Sequence, residues 1–250
     1  MYDPNQVLAA LDQNAAKVIA LCSVAMICNY TWFFAAVARG FRDQVIPVPV
    51  FCTLFWLVGD GSMVASYNLW FNVIDHWYVK LFWAALVFTV LTELVFLYMT
   101  LRFGRKELAP SLTQRQFTLV VFAGLAAMLI ACALIKQLVG DVLYIDYFHV
   151  ANFVGPVFAA AQVLRRGTRA GTSPLIWGAY TVMVTCWFAA CALWFDGPFS
   201  SPGYLLFYAA CTASAFAMMI VVARLPAYAA PATTGRVTSV GDAAAVAGPA

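Results

Sequence analysis

Charge is what this 250-residue chain has least of: Asp, Glu, Lys and Arg together make up 10% of it. A soluble domain carries about a quarter of its residues as charges, so this chain cannot dress a water-facing surface in the ordinary way. The small excess of 14 basic over 11 acidic residues, a net charge of +3, is too slight for a nucleic-acid footprint and excludes that partner class. The chain also lacks metal-ligand spacing. It has two histidines and seven cysteines. No CxxC pair occurs, and Cys22, Cys28, Cys52, Cys132, Cys186, Cys191 and Cys211 all lie in apolar stretches, as small core residues do. No Asp-rich metal motif and no internal repeat is present. Met1–Ala15 has no basic segment ahead of the first apolar run and contains Asp3 and Asp12, so it does not resemble a cleavable signal peptide.

Apolar residues fill the space that charge leaves. They make up 64% of the chain, with a mean hydropathy of +0.85, and they mark an integral membrane protein. A span needs about 20 apolar residues. Seven stretches qualify: Ala15–Ala38, Pro47–Phe71, Leu81–Leu101, Phe117–Leu138, Tyr144–Leu164, Leu175–Leu193 and Tyr204–Ala223. Backbone groups in lipid must be satisfied within their own segment, so the expected fold is all-α, a polytopic bundle of seven transmembrane helices over residues 1–225. The stretch Tyr144–Leu164, interrupted by Asp146, His149, Asn152 and Pro156, is the weakest of the seven. Residues 226–250, rich in Ala, Thr, Gly, Val and Pro without periodicity, read as a disordered cytoplasmic tail.

Eleven of the fourteen basic residues fall on one side of that arrangement. They are Arg39 and Arg42 after the first span, Arg102, Arg105, Lys106 and Arg115 after the third, Arg165, Arg166 and Arg169 after the fifth, and Arg224 and Arg236 in the tail. Only Lys17, Lys80 and Lys136 remain for the other side. The positive-inside rule then puts the N-terminus outside, or in the lumen, and the C-terminus in the cytoplasm, in a bacterial-type plasma membrane or the endoplasmic reticulum.

Two carboxylates interrupt these spans, Asp60 in the second and Glu93 in the third. An ionised carboxylate at mid-membrane costs several kcal/mol, so such groups face a cavity, pair, or keep their proton. Trp56, Asp60, Met63 and Tyr67 share one helical face, with Gly59, Gly61 and Ser62 thinning the surface beside it. Phe82, Leu86, Thr89 and Phe96 lie on or near the face of Glu93. Because the second and third spans run in opposite directions, both acids come to mid-depth, where one cavity can hold them. Desolvation favours the neutral acid, which makes either group a proton donor. A plainer use is open to each as well: hydrogen bonding to a hydroxyl or amide on a neighbouring helix. Trp70, Trp77, Tyr78, Trp194 and Tyr204 suit an interfacial belt. Trp56, Tyr67, Tyr180 and Trp187 sit mid-span and can pack, or line a pocket whose π faces attract cations. His76 reads as a loop residue. His149, with Asp146 and Tyr147, suits a polar network at a pocket mouth or plain solvation.

Three segments, in order, resemble the transmembrane terpene cyclases of fungal meroterpenoid and indole-diterpene pathways and their bacterial relatives. "NYTWFFAAVARGFRDQVIPVPVFCTLFWLVGD" is similar to that family's Asn-Tyr pair (Asn29, Tyr30), basic turn, and acid eleven residues past a proline, here Pro49 and Asp60. "FWAALVFTVLTELVFLYMTLRFGRKEL" is similar to its third helix through Trp83, Glu93 and Phe103-Gly104, and "VANFVGPVFAAAQVLRRGTRAGTSPLIWGAY" to its basic turn and Gly-x-Ser through Arg165, Arg169, Gly171 and Ser173. The resemblance covers most of residues 29–180. It implies that Asp60 takes the place of the glutamate that protonates an epoxide or alkene. The chain departs from the pattern at Gly59, where the family usually has tryptophan, and in the span Tyr204–Ala223, which has no acid. The second acidic role is left to Glu93, Asp146 or Asp196, or to no carboxylate.

The expected function is therefore a membrane-bound, metal-independent terpene cyclase that starts cationic cyclisation of an isoprenoid or prenylated small molecule by protonating it, with no cofactor. Asp60 and Glu93 are the candidate catalytic acids. Trp56, Met63, Tyr67, Asn29, Tyr30, Phe96, Asp146, His149, Tyr180 and Trp187 are the candidate substrate-binding residues. The alternative is a proton-coupled small-molecule transporter, since intramembrane acids also serve proton coupling. Against it stand the odd number of spans and the missing inverted repeat. A seven-helix photoreceptor would need a lysine in the last span for a retinal Schiff base, and Tyr204–Ala223 has none.

Overall fold

A computed structural model describes residues 2–229, and these are all-helical, without a strand. Eight α-helices follow one another: α1 (Pro4–Gln13), α2 (Ala15–Asp43), α3 (Val50–Ala65), α4 (Trp77–Leu108), α5 (Gln114–Val139), α6 (Ile145–Arg166), α7 (Pro174–Trp194) and α8 (Pro202–Arg224). Each of the seven apolar stretches carries one of the helices α2 to α8. Six of them, all but α3, are long and apolar enough to cross a membrane, which makes the chain an integral membrane protein associated with the bilayer. The 16 residues of α3 rise only about 24 Å at 1.5 Å each, less than a hydrocarbon core of about 30 Å. A break at Ser66 and a π-helical turn, Leu69–Ile74, continue the chain beyond it. The tail beyond Ala229, including Arg236, lies outside the described residues, so the expected disorder of 226–250 is a matter of sequence alone.

Local signals set the helix ends. Thr113 and Gln116 form a reciprocal capping box at the start of α5, and Gly140 ends that helix in the left-handed conformation. Ser173 caps α7 ahead of Pro174, a residue suited to a first helical position. Within α6, Pro156 has no N–H to give the carbonyl of Asn152, one turn back. The Tyr180 hydroxyl of α7 donates to that oxygen at 2.7 Å instead. A span broken by proline is thereby repaired from its neighbour.

Six helices close a ring: α2 packs on α7, α7 on α8, α8 on α6, α6 on α3, α3 on α4, and α4 returns to α2. The last of these junctions is the loosest. Helix α5 stays outside the ring against α3 and α4, with Phe117 and Val121 its two buried residues. Large apolar side chains such as Ile27, Ile130, Leu164 and Leu206 point outward, as lipid permits.

The two ends of the bundle differ. At one, α1 lies across the helices with Val7 and Leu11 fully buried. Tyr2 donates to Asp141 at 2.5 Å, and Asp12 accepts from the Trp77 indole at 2.7 Å. At the other, the Arg166 guanidinium grips Glu107 through two nitrogens at 2.6 and 2.9 Å and donates to the Ile46 carbonyl at 2.7 Å. Asp43 accepts from the Gly171 N–H at 3.0 Å. Gly171 needs its glycine twice over: φ is +70°, and an added Cβ would come within 2.8 Å of Val45.

Candidate functional site

A chamber of about 90 Å³ lies inside the ring, lined from α2, α3, α4, α6 and α7. Asp60 on α3 and Glu93 on α4 both line it, buried at 4% and 1% exposure. A carboxylate only accepts, so two carboxyls that meet in an apolar space can bond each other only where one keeps its proton. No lysine, arginine or histidine lines the chamber. The pair therefore has no cation to neutralise it, and Oε2 of Glu93 has no hydrogen-bond partner among the described residues.

Aromatic rings form two walls around the acids. On one side the Trp32 ring meets Trp56 and Tyr180 edge-on, with centroids 5.7 and 5.5 Å away, and Phe96 stacks behind it at 6.1 Å. On the other, Phe82 stacks on Trp187 at 5.9 Å and meets the edge of Phe148 at 4.8 Å. Hydrogen bonds hold the first wall still. The Trp56 indole donates to the Ala151 carbonyl at 3.1 Å, and the Trp32 indole to Asn29 Oδ1 at 3.0 Å. Gly155 lets Trp56 and Tyr180 close in, since a Cβ there would lie 2.5 Å from the Tyr180 oxygen and 3.2 Å from the Trp56 ring.

The structure gathers some of the sequence-derived residues and separates others. Asp60, Glu93, Trp56, Asn29, Tyr180 and Trp187 line the chamber. Phe96 backs its wall, and Met63 is fully buried but does not reach the cavity. Tyr67, expected on the face of Asp60, follows the break at Ser66, is half exposed, and stacks on Phe71 at 4.3 Å. Tyr30 turns to the gap between α2 and α4, where its hydroxyl donates to the Ala85 carbonyl at 3.1 Å.

Asp146 and His149 form a separate cluster with α8. The Tyr204 hydroxyl donates to Asp146 at 2.7 Å, and Tyr208 bonds His149 Nε2 at 3.1 Å. His149 is buried, so solvation does not account for it. Trp70 and Tyr78 are buried too, packed rather than interfacial. Gly59 has no room for a tryptophan, because the Tyr147 hydroxyl fills the place of its Cβ and donates to the Phe55 carbonyl at 2.8 Å. The resemblance-bearing Arg165, Arg169, Gly171 and Ser173 all serve at helix ends, away from the chamber.

Sequence reasoning missed Trp32, Phe33, Phe148 and Met183 as lining residues. Asn29, Trp32 and Phe33 stand at i, i+3 and i+4 on α2, a spacing that would have brought Trp32 and Phe33 in with Asn29. Among the described residues no three His, Cys, Asp or Glu side chains gather as a metal ligand set. Comparisons with protein-family models, with curated proteins and with solved structures each found no match.

Proposed function

We propose that the chain is a membrane terpene cyclase whose Asp60–Glu93 pair supplies the initiating proton. One observation carries this reading: two buried carboxyls that line one chamber, with no cation among its lining residues, set between two aromatic walls in an apolar interior. Protonation of an alkene forms a C–H bond at one carbon and leaves the positive charge on the other. Protonation of an epoxide forms an O–H bond and breaks a C–O bond, again leaving a carbocation. Neighbouring double bonds then give their π pairs to new C–C bonds, and the last cation loses a proton to the ionised pair, which restores it. No diphosphate leaves, so the step calls for no Mg²⁺. Trp32, Trp56, Phe82 and Trp187 offer ring faces to the migrating charge, an attraction worth roughly 0.5–2 kcal/mol per contact.

In this reading seven helices, α2 to α8, span the membrane, with the turn Leu69–Ile74 completing the short α3, and the end carrying Arg42, Arg105 and Arg166 faces the cytoplasm. Asp60→Asn keeps the size of the side chain but removes its acidic proton. Turnover of a prenylated or epoxidised substrate, followed by mass spectrometry on the purified protein, should fall at least about 10²-fold, the lower scale of general acid catalysis. A well-folded Asp60→Asn protein with normal turnover would remove the pair from the chemistry. Proton-driven uptake by intact vesicles, abolished by the same substitution, would make the chain a transporter instead.

A further inference from the structure

The chamber, at about 90 Å³, is the smaller part of a longer space. The larger part lies next door. A gap of about 340 Å³ separates α2 from α4 at the loosest junction of the ring, and it shares Ala25, Met26, Phe82 and Trp187 with the chamber. Its rim residues Ile19, Ser23, Leu81 and Ala84 are exposed on the outer surface of the bundle, where lipid lies. Tyr78, Phe82 and Trp187 stack in a row, with centroids 5.8 and 5.9 Å apart, and form one continuous wall from the gap into the chamber. The fifteen steps along the chain from Tyr78 to Glu93 rise about 22 Å along α4, the length of an extended chain rather than of a compact solute.

Polar atoms along this passage say what the chain carries. Buried groups without a partner are rare and each asks for an explanation. Of nine such side-chain atoms among the described residues, three belong to the passage: the Tyr78 hydroxyl, the Trp187 indole nitrogen and Glu93 Oε2. Tyr78 and Trp187 are unpaired donors at separate points of the passage, with Phe82 between them, and the outer one, Tyr78, fits an acceptor oxygen at the head of an apolar ligand.

We propose that the gap between α2 and α4 is a lateral portal, through which an isoprenoid with an oxygen-bearing head enters from the bilayer. Its head accepts a hydrogen bond from Tyr78 while its far end lies against the acid pair. The identity of the chain rests on the cyclase reading; the portal itself does not.

Photolabelling of the full-length protein in lipid nanodiscs tests this, with diazirine-tagged geranylgeraniol and a diazirine-tagged hydrocarbon of equal length without the hydroxyl. Adducts of geranylgeraniol should map to Ile19–Met26 and Leu81–Ala85. Ser23→Phe combined with Ala84→Phe, both at exposed rim positions, should cut these adducts at least about tenfold, while Ala133→Phe, in the groove between α3, α5 and α6, should not. Tyr78→Phe should reduce labelling by geranylgeraniol about three- to tenfold more than labelling by the hydrocarbon, the scale of one neutral hydrogen bond. Adducts spread evenly over the lipid-facing helices, or concentrated on Leu129, Cys132 and Val150, would overturn the portal. Equal effects of Tyr78→Phe on the two probes would overturn the oxygen-bearing head. Portal labelling that persists beside normal turnover of Asp60→Asn would keep the portal and discard the cyclase.

Discussion

Asp60 and Glu93 owe their meaning to each other more than to their separate burial. Each alone would be an uncompensated acid in an apolar interior; lining one chamber with no basic side chain in its walls, they can share a proton between them. Glu93→Gln leaves an amide in place of one acid, which can donate to Asp60 and let it stay ionised, so the pair loses its transferable proton. Turnover should fall at least about 10²-fold, as for Asp60→Asn, and Glu93→Asp should recover part of it. A loss from Glu93→Gln of less than about threefold would leave Glu93 a packing residue and Asp60 the sole donor. Both acids stood out in the sequence because a charge inside an apolar run is rare. Trp32 and Phe148 did not, because an aromatic in an apolar run is ordinary and only ring closure decides which aromatics face inward.

Helix α6 shows how an element can look unsuited to the membrane and yet be held there. Pro156 frees the Asn152 carbonyl, and Tyr180 answers it at 2.7 Å. Tyr180→Phe should therefore cost about 1–3 kcal/mol, the penalty of a buried acceptor left unpaired. In a Pro156→Ala background the restored N–H takes over that carbonyl, and Tyr180→Phe should cost less than about 0.5 kcal/mol. Thermal unfolding of the four proteins in detergent checks the cycle, and equal costs in both backgrounds would sink the repair. The sequence showed the fault in this span but not its remedy, because Tyr180 lies on another helix, 28 residues away. Helix α1 was missed although Asp3 and Pro4 are a recognisable cap and first-turn pair. Its latch is electrostatic. Hydrogen bonds from Trp77 and then His76 hold the Asp12 carboxyl below its ordinary range. A lowered folded pKa gives a contribution that is complete above the unfolded value, about 3.8, and fades as pH falls through the folded one. Trp77 fluorescence should be constant from pH 7 to pH 5 and change only below about pH 4; a midpoint near pH 6 would mean that the Asp12 carboxyl does not control the latch.

At the scale of the whole molecule, the apolar runs were enough to read an all-helical membrane chain, because each backbone in lipid must satisfy itself and only helices do so one segment at a time. Which helix neighbours which was not readable: the faces that close the ring and the face of α5 left outside it are almost equally apolar, and lipid does not penalise the wrong choice by composition. Orientation rests on charge. The structure brings Arg42, Arg166 and Glu107 together at one end, with Arg105 donating to the Leu112 carbonyl beside them, while α1, Asp75 and Lys80 lie at the other. The end gathering most of the arginines should be cytoplasmic. Asp75→Cys and Arg115→Cys place thiols at exposed positions on opposite ends, and the native cysteines are all helical and removed from the connectors. A membrane-impermeant maleimide should label Asp75→Cys in intact cells and Arg115→Cys only after permeabilisation. Labelling of both from outside would mean an even number of crossings between positions 75 and 115, so that α4 does not traverse the bilayer and its Glu93 cannot meet Asp60 at mid-membrane. Labelling in the reverse order would keep the ring and the chamber but invert the protein, and the portal between α2 and α4 would then open toward the cytoplasmic leaflet.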